Sequence, residues 1–77
     1  MDTIYKILLN SKYNLSHYYN SKAFTFEEEN GNWKKQFTIS KYGKTYCVDG
    51  FEGLPNMIRT FKKEFSTYKE VVTYLGL

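Results

Sequence analysis

The sequence predicts a small two-layer α+β domain, in which a three-stranded antiparallel sheet has one face covered by two C-terminal helices. Two observations support this fold class. Residues 23–49 alternate apolar and polar side chains between turn signals, and residues 54–75 carry apolar side chains at helical spacing. The chain of 77 residues is long enough for one hydrophobic core. We therefore expect a single domain over residues 1–77.

The strands are predicted at about residues 23–29, 33–40 and 44–49. The turn signals between them are Asn30-Gly31 and Tyr42-Gly43, and a two-residue loop at each one sets the register of its hairpin. In that register one face of the sheet is apolar and consists of Phe24, Phe26, Trp33, Phe37, Ile39, Tyr46 and Val48. The other face is polar and consists of Ala23, Thr25, Glu27, Lys34, Gln36, Thr38, Ser40, Thr45 and Cys47. The register also predicts that Glu27 lies opposite Lys34.

The apolar face needs a cover, and the C-terminal third of the chain offers one. Apolar residues in the segment 54–65 recur at intervals of four, three and four, which predicts a helix that begins near Pro55. Thr67 and Glu70 have the spacing of a capping box, so a second helix is predicted over residues 68–75. We expect Val71, Val72 and Leu75 to face the core and Gly76 to end this helix.

The N-terminal segment permits two interpretations. Helical spacing of Ile4, Ile7 and Leu8, with Asp2 or Thr3 as N-cap, favours a short helix over about residues 3–11. A strand is the alternative, because the same residues also alternate. The polar stretch that follows reads as a loop, with room for one helical turn at residues 15–20.

Composition narrows the class of protein. With 42% hydrophobic and 25% charged residues, the chain has the composition of a folded domain. The longest apolar run, Ile7–Leu9, is far too short to cross a bilayer, and no signal peptide is recognisable. A single cysteine, Cys47, excludes an internal disulfide. We therefore expect a cytoplasmic protein that does not contact membranes.

Residues with catalytic chemistry are few. His17 is the only histidine and has no cysteine or carboxylate near it in sequence. Cys47 lacks the spaced partners of a metal site, and consecutive glutamates in a strand alternate between faces rather than forming a carboxylate pair. No glycine-rich phosphate loop or nucleophile motif is present. We expect no enzymatic activity and no cofactor.

Two binding hypotheses remain. The first is a protein-binding module that uses exposed tyrosines and an acidic hairpin, and its candidate contacts are Tyr13, Tyr18, Tyr19, Glu27, Glu28, Glu29 and Tyr42. In size and composition the chain resembles small accessory proteins of phages and mobile elements, anti-CRISPR inhibitors among them. That resemblance implies a host protein as partner. A homodimer, through the open face or a sheet edge, is a further possibility.

The second hypothesis is nucleic-acid binding. The net charge is +3, and the excess of basic residues lies after residue 30. The candidate contacts are Lys34, Lys41, Lys44, Arg59, Lys62 and Lys63. These residues are predicted on hairpin ends and on a helix at the opposite side of the sheet, which disfavours a single basic patch. The sequence therefore favours protein binding.

Overall fold

Five antiparallel strands form one sheet in the computed structural model, which describes all 77 residues, Met1–Leu77. In chain order the elements are α1 (Asp2–Leu9), β1 (Asn14–Asn20), β2 (Ala23–Asn30), β3 (Trp33–Tyr42), β4 (Thr45–Leu54), β5 (Met57–Phe65) and α2 (Tyr68–Tyr74). The strand order β1-β2-β3-β4-β5 follows the sequence. A two-residue loop joins each strand to the next, so the sheet is a meander with β1 and β5 at its edges.

The α+β class is confirmed, but the predicted helix at residues 54–65 is wrong. Residues Met57–Phe65 form β5, which pairs with β4 over its whole length. Pro55 does not begin a helix, because Pro55 and Asn56 form the loop between these strands, a dipeptide well suited to a tight turn. In a strand Phe61 and Phe65 still share one face, so pairing with β4 keeps them against the core.

The predicted loop between α1 and the sheet is also wrong in part. Residues Asn14–Asn20 form β1 along the free edge of β2, and all seven are exposed. Polar strands of this kind carry little hydrophobic pattern, so the sequence offered no period-2 signal. The pairing of β1 is irregular, with register shifts between Leu15 and His17 and between Tyr18 and Asn20.

Both predicted hairpin registers are displaced by two residues. Phe26 lies opposite Phe37, and Ile39 lies opposite Val48. The loops are residues 31–32 and 43–44, each beginning with a glycine of positive φ: +64° at Gly31 and +60° at Gly43. Glycine at the first loop position is the pattern of a type II′ turn, whereas the prediction placed it second. A shift of two residues keeps every side chain on its predicted face.

The core lies between the apolar face of the sheet and the two helices. Phe24, Phe26, Phe37, Ile39 and Val48 are fully buried on the sheet, and Ile4, Leu8, Val71 and Leu75 cover them from α1 and α2. The cover therefore comes from both ends of the chain, not from two C-terminal helices. The opposite face of the sheet carries no helix, and we call it the open face.

The two helices differ in how they begin. The helix predicted near residues 3–11 is confirmed as α1, but its N-cap is Met1 without a side-chain bond, not Asp2 or Thr3. For α2 the capping box is confirmed: Thr67 accepts a hydrogen bond from the backbone N–H of Glu70, and Glu70 accepts one in return. Val71 and Leu75 are buried as predicted, whereas Val72 is only half-buried.

Candidate binding surfaces

Three of the four tyrosines predicted to be exposed are exposed. Tyr18, Tyr19 and Tyr42 each expose half or more of their surface. Tyr18 and Tyr19 lie on β1, where the ring of Tyr18 rests against Tyr5 with 5.4 Å between centroids. Tyr19 lies 4.2 Å from the ring of His17. Each of these two rings therefore has a neighbouring aromatic ring and still exposes half or more of its surface.

Tyr13 was predicted to be exposed, and this prediction is wrong. Only 3% of its surface is accessible, because the ring packs edge-to-face on Phe37 at 4.9 Å. Its hydroxyl donates to the carbonyl oxygen of Leu75 at 3.4 Å and accepts from Nζ of Lys35 at 3.3 Å. Tyr13 thus links the segment before β1 to α2 and the sheet, and a partner cannot reach its ring.

The acidic hairpin carries its three glutamates on alternating faces, as predicted, but each glutamate already forms an ion pair with a lysine. Lys34 lies 4.0 Å from Glu27 and 3.6 Å from Glu29, and Lys12 lies 3.9 Å from Glu28. In the observed register Glu29, not Glu27, lies opposite Lys34. A hydrogen bond from the Ser16 side chain is the main cause of a lowered pKa at Glu27; burial opposes it, and the charge of Lys34 lowers the pKa further.

The six basic residues of the nucleic-acid hypothesis do not form one patch. By strand alternation, Lys34 and Lys62 extend from the open face, and Lys41, Arg59 and Lys63 from the helix-covered face. Lys44 lies in the β3–β4 loop. A smaller group does come together at one end of the sheet, where the backbone N–H of Lys41 donates to the carbonyl oxygen of Lys22 at 3.0 Å. We call Lys22, Lys41 and Lys44 the basic end.

The β4–β5 hairpin exposes a group of apolar side chains that the sequence interpretation missed. Leu54, Met57 and Ile58 are 43%, 72% and 57% exposed, and we call them the apolar tip. Leu54 and Ile58 were predicted to face the core from a helix. The signal that could have revealed them is the Pro55-Asn56 dipeptide between two apolar residues, read as a hairpin loop.

An open depression adjoins the apolar tip. It is lined by Trp33, Glu52, Gly53, Met57 and Arg59. Trp33 is half-buried, so part of its side chain is accessible. The lining is therefore apolar at Trp33 and Met57 and charged at Glu52 and Arg59, an arrangement found in protein-binding surfaces.

The open face has a partly buried polar centre. Thr25 is 2% exposed although no helix covers it, and its hydroxyl lies 2.7 Å from the hydroxyl of Thr38. Burial raises the pKa of the neighbouring Cys47 thiol, and the charge of Asp49 adds to this effect. A thiol with a raised pKa holds its proton and is a weak nucleophile.

No group of three or more His, Cys, Asp or Glu residues could hold a metal ion. Neither helix has the length and apolar composition that spanning a bilayer requires. Comparison of the chain with protein-family models, with characterised proteins and with solved structures finds no match.

Proposed function

We propose that this chain is a small non-enzymatic protein-binding module whose main contact surface is the apolar tip. The observation that carries the proposal is the exposure of Leu54, Met57 and Ile58 together on one hairpin. Single exposed apolar residues are common on protein surfaces, but here Leu54 and Met57 form a cross-strand pair on one face of the hairpin while Ile58 extends from the other. Three large apolar side chains exposed at one hairpin end are costly to hydrate. A partner that covers them removes that cost.

The surroundings of the apolar tip support a protein rather than a small molecule as ligand. Trp33 and Met57 provide apolar contact area beside the charged side chains of Glu52 and Arg59. Tryptophan and arginine are enriched among residues that dominate binding energy, and methionine adapts its shape to a partner. The depression is open rather than enclosed, which suits the flat surface of another protein.

Tyr18 and Tyr19 provide a second contact region on the opposite edge of the sheet. Their rings offer rigid area with a polar tip. The resemblance in size and composition to phage and mobile-element accessory proteins extends the proposal to an inhibitor that binds a host protein. Glu27, Glu28 and Glu29 contribute less in this proposal, since lysines already pair with them.

The test is affinity capture from host lysate with the tagged 77-residue chain, with and without nuclease. We expect one protein to be retained at near-equal stoichiometry after nuclease treatment. The double variant Met57→Ser with Ile58→Ser should reduce its retention about tenfold or more, because contact residues of this type each contribute about 1–2 kcal/mol.

The matched control is Thr60→Ala, which truncates an exposed β5 side chain outside the apolar tip. It should leave retention unchanged. Retention that survives the double variant would place the contact elsewhere, with Tyr18 and Tyr19 the next residues to change. Loss of all retained protein on nuclease treatment would contradict protein binding.

Nucleic-acid binding is the second candidate, and the basic end favours it. Lys22, Lys41 and Lys44 lie together, and none of them forms an ion pair. A phosphate-driven complex should weaken steeply between low and moderate salt. Under this candidate, Lys41→Glu with Lys44→Glu abolishes binding to a fluorescent DNA or RNA oligonucleotide, and unchanged affinity would exclude it.

A further inference from the structure

Strand β5 leaves one side of its backbone without a partner. It is the last strand of the sheet and pairs only with β4. In an antiparallel sheet, half of the backbone N–H and C=O groups of an edge strand point outward, and an extended chain can bind them. The structure therefore contains two such edges, β1 and β5, and they are not equivalent.

The edge at β5 is the one suited to accept another strand. Its nine residues pair with β4 in an uninterrupted register, so its outer side is regular. The edge at β1 is shorter and has two register shifts within seven residues. Bulges twist an edge and interrupt its outward hydrogen-bonding groups, which is a common protection against pairing.

The charges on β5 decide which kind of strand fits. Arg59, Lys62 and Lys63 are exposed and none forms an ion pair, and the only acidic residue on the strand is Glu64. The backbone of a strand bound to β5 would lie about 5 Å from the β5 backbone that carries these cations. Asp49 and Glu52 face Lys62 and Arg59 from β4. They would be one strand further from the bound strand, at about 10 Å, where salt screens most of their effect.

A second copy of this chain does not fit the same edge. If two copies paired the whole of β5 in antiparallel fashion, the two-fold axis would pass through Phe61. Arg59 of each copy would then lie opposite Lys63 of the other. Like charges directly opposite each other destabilise a strand pair. The same cations that oppose self-pairing attract an acidic strand.

We propose that β5 is the docking edge for an extended acidic segment of the protein partner, which adds to the sheet as a sixth strand. This inference rests on the proposed protein-binding function and names the mode of recognition. Backbone hydrogen bonds to β5 supply affinity, and Arg59, Lys62 and Lys63 select for acidic side chains. Met57 and Ile58 of the apolar tip contact apolar side chains at one end of the bound segment.

The experiment is a titration of the ¹⁵N-labelled 77-residue chain with synthetic nine-residue peptides, followed by NMR. The acidic probe alternates glutamate and valine. A second peptide has the same charge but a central proline, which prevents continuous strand pairing. A third replaces each glutamate by lysine. We expect the acidic probe to shift β5 amides with a Kd of about 1 mM or tighter, the proline peptide to bind at least several-fold more weakly, and the lysine peptide not to bind.

Reversal of charge on β5 is the more decisive test. Arg59→Glu with Lys63→Glu should abolish binding of the acidic peptide and create binding of the lysine peptide, a gain that a misfolded variant could not show. The matched control is Lys22→Glu with Lys44→Glu, which makes the same change of charge at the basic end and should leave the β5 shifts within about twofold in affinity.

Three results would overturn the inference: shifts centred on β1 or on the basic end, equal binding of the proline peptide, or no binding of the acidic probe. Failure here is distinguishable from failure of the proposed function. If the peptide titration fails while a partner is still captured from lysate and is lost with the Met57 and Ile58 double variant, protein binding stands and strand addition at β5 is excluded.

Discussion

The covered face and the open face of the sheet are built from the same strands, yet different forces hold them. On the covered face Phe24, Phe37 and Ile39 are at most 1% exposed beneath α1 and α2. On the open face the central contact is a hydroxyl pair between Thr25 and Thr38. Burial of apolar area, worth about 25 cal/mol per Å², is concentrated on the covered face.

This difference separates stability from binding. The ion pairs of the open face, between Lys34 and both Glu27 and Glu29, are partly exposed, and such pairs contribute only about 0–1 kcal/mol each. Exposed side chains on the open face and at the edges can therefore change at little cost to folding. The candidate contacts at the apolar tip and on β5 lie in this tolerant part of the molecule.

The largest expected effect comes from the covered face. Phe37→Ala should lower the free energy of unfolding by about 3–5 kcal/mol, because it removes a fully buried ring and leaves a cavity. In a domain of this size that loss should abolish the cooperative thermal transition. The control is Gln36→Ala on the open face, expected within about 0.5 kcal/mol of the original chain. Similar losses for both variants would contradict the contrast between faces, and Phe37→Leu should retain a transition at lower Tm.

A second large effect is expected at Gly50, which lies opposite Phe37 and Phe61 on the covered face. A Cβ there would meet the backbone carbonyl oxygen of Gln36, so β3 and β4 would have to separate. We expect Gly50→Ala to cost about 1–3 kcal/mol in urea unfolding. Gly31→Ala is the comparison, since a methyl group there has no neighbour within 4 Å and only the turn geometry opposes it. A larger loss for Gly31→Ala would contradict this account.

On the open face a smaller effect is expected at the buried hydroxyl pair. Thr25→Val should cost about 1–2 kcal/mol, because the Thr38 hydroxyl then loses its partner in a partly buried site. The double variant Thr25→Val with Thr38→Val should recover part of that loss, since no unpaired hydroxyl remains. Additive losses in urea unfolding would show that the pair does not act as a unit.

The smallest effect concerns pH. The pKa of Glu27 is lowered in the folded chain by Ser16 and Lys34, so its ionised form stabilises the fold above the unfolded-state pKa of about 4.3. That contribution should be lost as pH falls through the lower, folded-state pKa. The free energy of unfolding of the chain falls as the pH is lowered, and Glu27→Gln should reduce that fall by about 0.5 kcal/mol or less. If Glu27→Gln left the free energy of unfolding with the same dependence on acidic pH, Ser16 and Lys34 would not stabilise the carboxylate.

Several features of the fold could be predicted because they depend on neighbouring residues. The capping box of α2 needs only Thr67 and Glu70, and the helix α1 needs only its local spacing. The two hairpins were located by their glycines, although the glycine position within each loop was misassigned. The predicted face of each side chain was still correct, because the register error was two residues and side-chain direction in a strand repeats every two residues.

The candidate site was harder to predict. The exposure of Tyr18, Tyr19 and Tyr42 was predicted, but the burial of Tyr13 was not, because it depends on Phe37 and Leu75, which are distant in sequence. The apolar tip was missed because Leu54 and Ile58 were assigned to a buried helical stripe. Whether an apolar side chain is exposed depends on the helix or strand that carries it. A wrong prediction of secondary structure therefore led to a wrong prediction of which residues are exposed.

The sequence by itself determined the two faces of strands β2, β3 and β4 and the capping box of α2, since alternation and capping are local properties of the chain. Only the tertiary structure decided that residues 57–65 form a strand, because their apolar spacing also fits a helix and the choice depends on hydrogen bonds to β4. It likewise decided that residues 14–20 form β1, a polar segment that becomes a strand by pairing with the free edge of β2. Pairing between distant segments is a property of the assembled sheet, and local spacing does not encode it.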